Sequence, residues 1–150
     1  MKILLAIDGS PSSFAAIREL YRMPLAPQSE IRVIIVDAPI DEGMFRAKSL
    51  GAYDDLIRQQ RADILQKLHE ATQLMKAHPS KVHVTSAMLE GHVKETIVDE
   101  ANRYGAELIV VGSHGYGPIH RFFLGSVSQY VAHNAPCSVM IVKANKSSAD

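Results

Sequence analysis

The segment Gly112-Ser113-His114-Gly115, followed after nine residues by Gly125-Ser126-Val127-Ser128, holds the residues best suited to chemistry in this chain. Glycine permits positive φ and lets a backbone come close to a ligand. A helix N-terminus offers N–H groups without intrahelical acceptors, together with a partial positive charge. Here two glycines follow the apolar run Leu108-Ile109-Val110-Val111, which reads as a buried strand, and Gly125-Ser126 opens Val127 to His133, which reads as a helix. Strand, glycine loop, Gly-Ser and helix together form a backbone suited to cradling phosphate. Ser126 and Ser128 add hydroxyl donors at that terminus or serve as ordinary N-caps. His114 is a loop-borne donor toward phosphate or a solvated side chain. Gly117 adds a third glycine to the loop, and His120-Arg121 add positive potential. Phe122-Phe123-Leu124 beside them call for burial and would anchor the loop.

Two residues elsewhere fit the same chemistry. Asp8 closes the apolar run Ile3-Leu4-Leu5-Ala6-Ile7. Its carboxylate either shapes a turn before a helix, accepts a bond from a sugar hydroxyl, or binds a magnesium ion that bridges phosphates. Val36 ends the second apolar run and is either core or the floor under a base.

Other chemistries are excluded. No Gly-Lys-Ser/Thr occurs, so there is no Walker-type loop. Asp8-Gly9-Ser10-Pro11 stands where a Gly-x-Gly-x-x-Gly dinucleotide fingerprint would lie. The spacing of His114, His120 and His133 suits no zinc site, and no Ser-His-Asp set is apparent. The single cysteine, Cys137, forms no internal disulfide and reads as a small packed residue, which points to a reducing compartment. Sixteen Lys and Arg balance sixteen Asp and Glu, so neither bulk nucleic-acid binding nor polybasic membrane docking is expected. Ile3 to Ile7 is too short for a signal-peptide core or a membrane span, which makes the expected location cytoplasmic.

The elements that must position these residues follow from the apolar patterning. The 150 residues suit one domain, and 47% are hydrophobic. Five runs read as strands: Ile3 to Ile7, Ile31 to Val36, Val82 to Met88, Leu108 to Val111 and Ser138 to Val142. Four are nearly continuous and rich in β-branched residues, as in strands buried on both faces. The third alternates, as an edge strand does. Ser10 caps a first helix with Pro11 at its first position and Phe14, Ile17, Leu20 and Tyr21 on one face. A second helix spans about Ala52 to Ala77, with Tyr53, Leu56, Ile57, Ile64, Leu65, Leu68, Leu74 and Met75 as its apolar positions, after a longer loop that begins Ala38-Pro39-Ile40-Asp41-Glu42-Gly43. A third presents Val93, Ile97 and Ala101 and stops at Tyr104-Gly105; a fourth runs from Gly125-Ser126 to Asn134-Ala135-Pro136. Strict alternation of this kind predicts an α/β fold, an open and mostly parallel five-stranded sheet with helices on both faces. Such sheets bind ligands beyond the C-terminal strand ends, where the winding reverses. With order 3-2-1-4-5, Asp8 and the Gly112 turn face one crevice.

The pattern Gly-x2-Gly-x9-Gly-Ser, the opening Ile3-Leu4-Leu5-Ala6-Ile7-Asp8-Gly9-Ser10, the closing Pro136-Cys137-Ser138-Val139-Met140-Ile141-Val142 and Glu90-Gly91 followed by Ile97 resemble the universal stress protein family. The likeness covers nearly the whole chain and includes the glycine signature of the ATP-binding branch. It implies a Rossmann-like three-layer fold of strand order 3-2-1-4-5 in one domain, residues 1–144, with a polar tail from 145 to 150. It also implies ATP, or ADP or AMP, with Mg2+ accompanying the nucleotide. Ala6 and Val36 would line the adenosine pocket, with Asp8 near ribose and metal. Gly112, His114 and Gly115 would wrap the phosphates from one side, and Gly125, Ser126, Val127 and Ser128 from the other. The family implies a homodimer through the fifth strand, Val139 to Val142. The expected function is an ATP-binding regulatory protein of the stress response, read by a protein partner. A slow ATP hydrolase or self-phosphorylating enzyme, and a nucleotide-free interaction module, are the alternatives. No residue is positioned to activate a water, so hydrolysis would be weak at most.

Overall fold

A computed structural model of the chain describes residues 1–40, 50–115 and 123–145. The expectations for Asp41, Glu42, Gly43, Gly117, His120, Arg121, Phe122 and residues 146–150 lie outside them. The elements alternate as β1 (Lys2–Ile7), α1 (Pro11–Arg22), β2 (Glu30–Asp37), α2 (Leu50–Lys76), β3 (His83–Glu90), α3 (Val93–Tyr104), β4 (Leu108–Gly112), α4 (Ser126–Asn134) and β5 (Ser138–Val142). The sheet is parallel throughout, in the order β3-β2-β1-β4-β5. The chain winds outward from β1 to β3, then crosses back to lay β4 against the free side of β1. The reversal therefore lies between β1 and β4, where such sheets open a crevice at their C-terminal ends.

Strand alternation assigns side chains to two cores. Ile3, Leu5, Ile7, Ile31, Val33 and Ile35 pack beneath α1 and α2 with Ile17, Leu20, Leu68 and Met75. Leu4, Ala6, Ile34, Ile109 and Val111 pack beneath α3 and α4 with Ile97, Ala101 and Val131. The near-continuous apolarity of β1, β2 and β4 follows from this burial on both faces. β5 does not share it. It is an edge strand, its apolar residues only half-buried, so the doubly buried expectation is corrected there. β3 is the other edge, as its alternation implied.

Two helix faces differ from the periodicity reading. Ser10 does cap α1, accepting the Ser13 N–H at 3.3 Å, with Pro11 next. The buried arc, however, runs through Ser12, Ser13, Ala15, Ala16, Ile17 and Leu20, and leaves Phe14 41% exposed. The small residues let the helix start settle against the end of β4, which a buried Phe14 would prevent. In α2 the inward positions are Ile64, Leu68, Ala71 and Met75, whereas Leu56, Leu65 and Leu74 face outward. α3 behaves as read, closing on Gly105 at φ 71°.

Charge fixes the far end of α3. Glu100, 4% exposed, accepts from Arg32 Nε of β2 at 2.5 Å and from Arg103 of its own helix. Burial, and then the neighbouring Glu30 carboxylate, pushes the Tyr104 phenol up to about 12, so it stays neutral beside this pair. Cys137 packs half-buried against the second core, and burial pushes its thiol up, as suits a packing residue.

Candidate nucleotide-binding crevice

A cavity of about 360 Å3 opens at the C-terminal ends of β1 and β4. All ten residues singled out from the sequence line it: Ala6, Asp8, Val36, Gly112, His114, Gly115, Gly125, Ser126, Val127 and Ser128. Its volume lies in the usual small-ligand range of about 300–1,000 Å3. The inner part is apolar, formed by Ala6 and its register partner Ile34, by Val36, and by Val93 and Ile97 of α3. The outer part is backbone, hydroxyl groups and one carboxylate.

The outer part is a set of amides without acceptors. Helix α4 has Gly125 as its N-cap, with no side-chain cap, and its first internal bond runs from Gln129 N–H to the Gly125 carbonyl. The N–H groups of Ser126, Val127 and Ser128 therefore find no acceptor among the described residues. A fourth amide joins them. The Ser10 hydroxyl donates to the His114 carbonyl at 3.1 Å, and the Ser12 hydroxyl donates to the same oxygen while accepting the His114 N–H at 3.2 Å. In a trans peptide the next N–H points the opposite way. The Gly115 amide is thus turned away from α1, and its nitrogen lies 3.7 Å from where a Cβ on Gly125 would stand. These amides and the positive end of a helix dipole make this part of the cavity suited to an anion.

The loop is held shut at its base. The Ser113 carbonyl accepts Gly125 N–H at 2.8 Å and the buried Ser128 hydroxyl at 2.8 Å. The Ser128 proton is shared with the Gly125 carbonyl at 3.0 Å, so this hydroxyl ties protein to protein. Ser128→Ala is expected to cost about 1 kcal/mol and to lower the melting temperature by roughly 3 °C, measurable by calorimetry. His114 is bound by the protein on both ring nitrogens. Nε2 meets the Phe123 carbonyl, which only accepts, so Nε2 carries the proton and Nδ1 accepts the Ser113 hydroxyl at 2.9 Å. Phe123 itself is 73% exposed and Leu124 is also exposed, against the expected burial; the Phe123 main chain, not its ring, makes the anchor.

The signature glycines owe their places to space rather than to left-handed backbone. Positive φ occurs at Gly9, Gly91 and Gly105, and at none of Gly112, Gly115 and Gly125. A Cβ on Gly112 would stand 2.7 Å from the Ser12 carbonyl carbon and 2.7 Å from the Ser13 nitrogen, so the end of β4 touches the first turn of α1. A Cβ on Gly125 would meet the Ser113 carbonyl oxygen at 3.1 Å. A Cβ on Gly115 would meet Asp8 Oδ2 at 3.1 Å. Asp8 Oδ1 accepts the Ser10 N–H at 2.8 Å, which leaves Oδ2 toward the crevice. Among the described residues no group of three or more His, Cys, Asp or Glu could hold a metal ion, so a cation here would share Asp8 with a ligand's own oxygens.

The sequence reading missed Ile7, Ser10, Ser13, Ile34, Val93, Ile97 and Val111 as lining residues, and Ser12 as the clamp on His114. Ile34 was within reach, since it shares a strand face with Val36 two residues on. The run Ser10-Pro11-Ser12-Ser13, three hydroxyls in one helix start, was the available signal for the clamp.

Sheet order, winding reversal and crevice define an α/β domain of the doubly wound class. The sequence model of the Universal stress protein family matches residues 1–143, and the chain belongs to that family. It is 30% identical over 146 residues to universal stress protein MJ0531 of Methanocaldococcus jannaschii, covering 97% of this chain and 83% of that one. Among solved structures, hypothetical protein MJ0577 superposes with a TM-score of 0.82 at 22% identity, covering 97% of each chain. A universal stress protein solved in complex with cAMP matches at TM-score 0.69 and 23% identity, over 97% of this chain and 98% of that one. A family protein from Arabidopsis thaliana solved with AMP bound matches at TM-score 0.69 and 20% identity, over 100% and 95%. At these identities the structural likenesses establish the fold.

Proposed function

We propose that this protein binds an adenine nucleotide, ATP in the cell, and acts as a nucleotide-dependent regulator rather than as an efficient enzyme. The observation that carries the reading is that Ser126, Val127 and Ser128, whose amides have no acceptor among the described residues, and Gly115, whose amide turns away from α1, line one cavity beside an apolar slot. The slot accepts a flat base between Val36 and Ala6 on the sheet and Val93 and Ile97 on α3. Asp8 Oδ2 faces the ribose hydroxyls or a Mg2+ carried by the phosphates. Bonds to a charged acceptor contribute about 1.5–3 kcal/mol each, and micromolar affinity requires about 8 kcal/mol. Four amides are therefore enough for useful binding without a lysine in the loop. The cAMP and AMP held by the two fold relatives support adenylate as the ligand class. Catalysis would be slow because the one carboxylate lining the cavity among the described residues is Asp8, which metal or sugar would occupy.

Regulation would act on what lies between Gly115 and Gly125, the surface a protein partner would read. A second copy of the chain would pair along the β5 edge, whose Val139, Met140, Ile141 and Val142 are half-buried in the single chain. No helix among the described residues is long and apolar enough to cross a membrane. Thermal denaturation with and without millimolar Mg-ATP tests the reading. A ligand at a hundred times its dissociation constant stabilises by about 2.7 kcal/mol, here a rise of roughly 5–10 °C. An unchanged melting temperature with ATP, ADP and AMP alike would sink it.

A further inference from the structure

We propose that Arg61 is a positioning residue for the base slot: by bridging Asp37 and Glu90 behind the crevice, it holds Val36 and Val93 at the separation a flat base requires. The inference rests on adenylate binding as argued above and adds the residue that shapes the base end of the site.

The two walls of the slot adjoin like charges. Val36 lines the crevice from β2, and Val93 lines it from the start of α3. Asp37 follows Val36, and Glu90 stands three residues before Val93. Asp37 and Glu90 are register partners at the last rung between β2 and β3. Strand alternation turns both away from the crevice, onto the face that α2 covers. Neighbouring strands lie about 4.8 Å apart, and two carboxylates opposite each other at that spacing repel. Unopposed, they would splay the strand ends and carry Val36 and Val93 apart.

Arg61 of α2 opposes them. Its Nε donates to Asp37 Oδ2 at 3.3 Å, and its Nη2 donates to Glu90 Oε1 at 3.0 Å. Gln60 Nε2 donates to the other Asp37 oxygen at 3.1 Å, and the Gly91 N–H to the Asp37 carbonyl at 3.3 Å. Asp37 is thus held from three sides, with its side chain 11% exposed. The Glu90 side chain is 69% exposed, and an ion pair of that kind contributes little by itself. What the guanidinium supplies is geometry: a planar fork whose donors reach two carboxylates on adjacent strands at once. A lysine ammonium carries the same charge on a flexible stem, without the fork. Asp37, Gln60, Arg61 and Glu90 line a second cavity of about 210 Å3, which shares no described lining residue with the crevice. Arg61 therefore acts on the slot through the strand ends rather than by touching a base in it.

Titration of the full-length protein with Mg-ATP, followed by calorimetry and by 15N-resolved NMR, on the wild type, Arg61→Met and Arg61→Lys, tests this. Both variants are expected to bind ATP roughly three- to five-fold more weakly. The shifts that ATP induces at the Val36 and Val93 amides should shrink, while those at Ser126, Val127 and Ser128 match the wild type. Those matching shifts also show that the variants are folded. Wild-type affinity in Arg61→Met would overturn the proposal. So would wild-type affinity in Arg61→Lys alone, which would make charge rather than the fork the requirement. Altered shifts throughout the crevice, Ser126 to Ser128 included, would overturn it as well, by making Arg61 a general support of the fold. A wild type that does not bind ATP would instead defeat the adenylate reading itself, so the two failures are distinct.

Discussion

Gly112→Ala is expected to lower the melting temperature by roughly 6–12 °C, whether or not a ligand is present. The added methyl would stand 2.5 Å from the Ser12 hydroxyl oxygen and 2.7 Å from two backbone atoms of α1. Neither backbone atom can yield without moving the first turn of the helix off β4. Overpacking of this kind costs about 3 kcal/mol. It also disturbs the Ser12 hydroxyl that clamps His114, so nucleotide affinity should fall along with stability. Gly51→Ala is the matched control. A methyl on Gly51, in the first turn of α2, meets nothing within 4 Å among the described residues and replaces a poor helix former, so a gain of up to about 0.5 kcal/mol is expected. Calorimetric melting of the two variants should move in opposite directions. Equal, small shifts would mean that β4 does not touch α1 as described.

Gly115→Val is expected to abolish nucleotide binding, at least a hundred-fold by titration calorimetry, with a much smaller effect on the melting temperature of the free protein. Gly115 is exposed, and its φ lies outside the left-handed region, so the free backbone tolerates a side chain. The cost falls on the site. The first added carbon already meets Asp8 Oδ2 at 3.1 Å, and two further methyl groups would add bulk to the cavity that Gly115 lines with Asp8 and the start of α4. A phosphate cannot share it. The contrast with Gly112 separates two glycines that look alike in the signature: one closes the fold, and the other, on the proposed reading, would leave room for the ligand. A variant that bound ATP normally would show that the anion sits elsewhere.

The layered architecture was legible because both periodicities are strong. Ile3 to Ile7 and Leu108 to Val111 are continuous apolar runs because two cores claim alternate residues of each strand. The site was legible for a related reason: a glycine loop after a buried strand has few uses other than close approach. What the pattern hid was rotation and contact. Phe14 fits the apolar period of α1, yet packing chose the arc of Ser12, Ser13, Ala15 and Ala16, because the glycine-ended strand β4 demands small partners. Leu56, Leu65 and Leu74 likewise meet no strand, since α2 turns Ile64, Leu68, Ala71 and Met75 inward. Composition also gave no sign that His114 would spend both ring nitrogens on Ser113 and Phe123, or that Lys67 would lie over Gly9. Those placements depend on residues far apart in the chain.

The amide cluster is the claim on which the rest depends, and a 15N-resolved NMR titration of the wild type with Mg-ATP reads it residue by residue. The account predicts that the backbone N–H resonances of Gly115, Ser126, Val127 and Ser128 move furthest, downfield as each gains a charged acceptor, with Ala6 and Val36 shifting as the base enters. Saturable binding that leaves those four resonances where they were, or no binding at millimolar nucleotide, would contradict it.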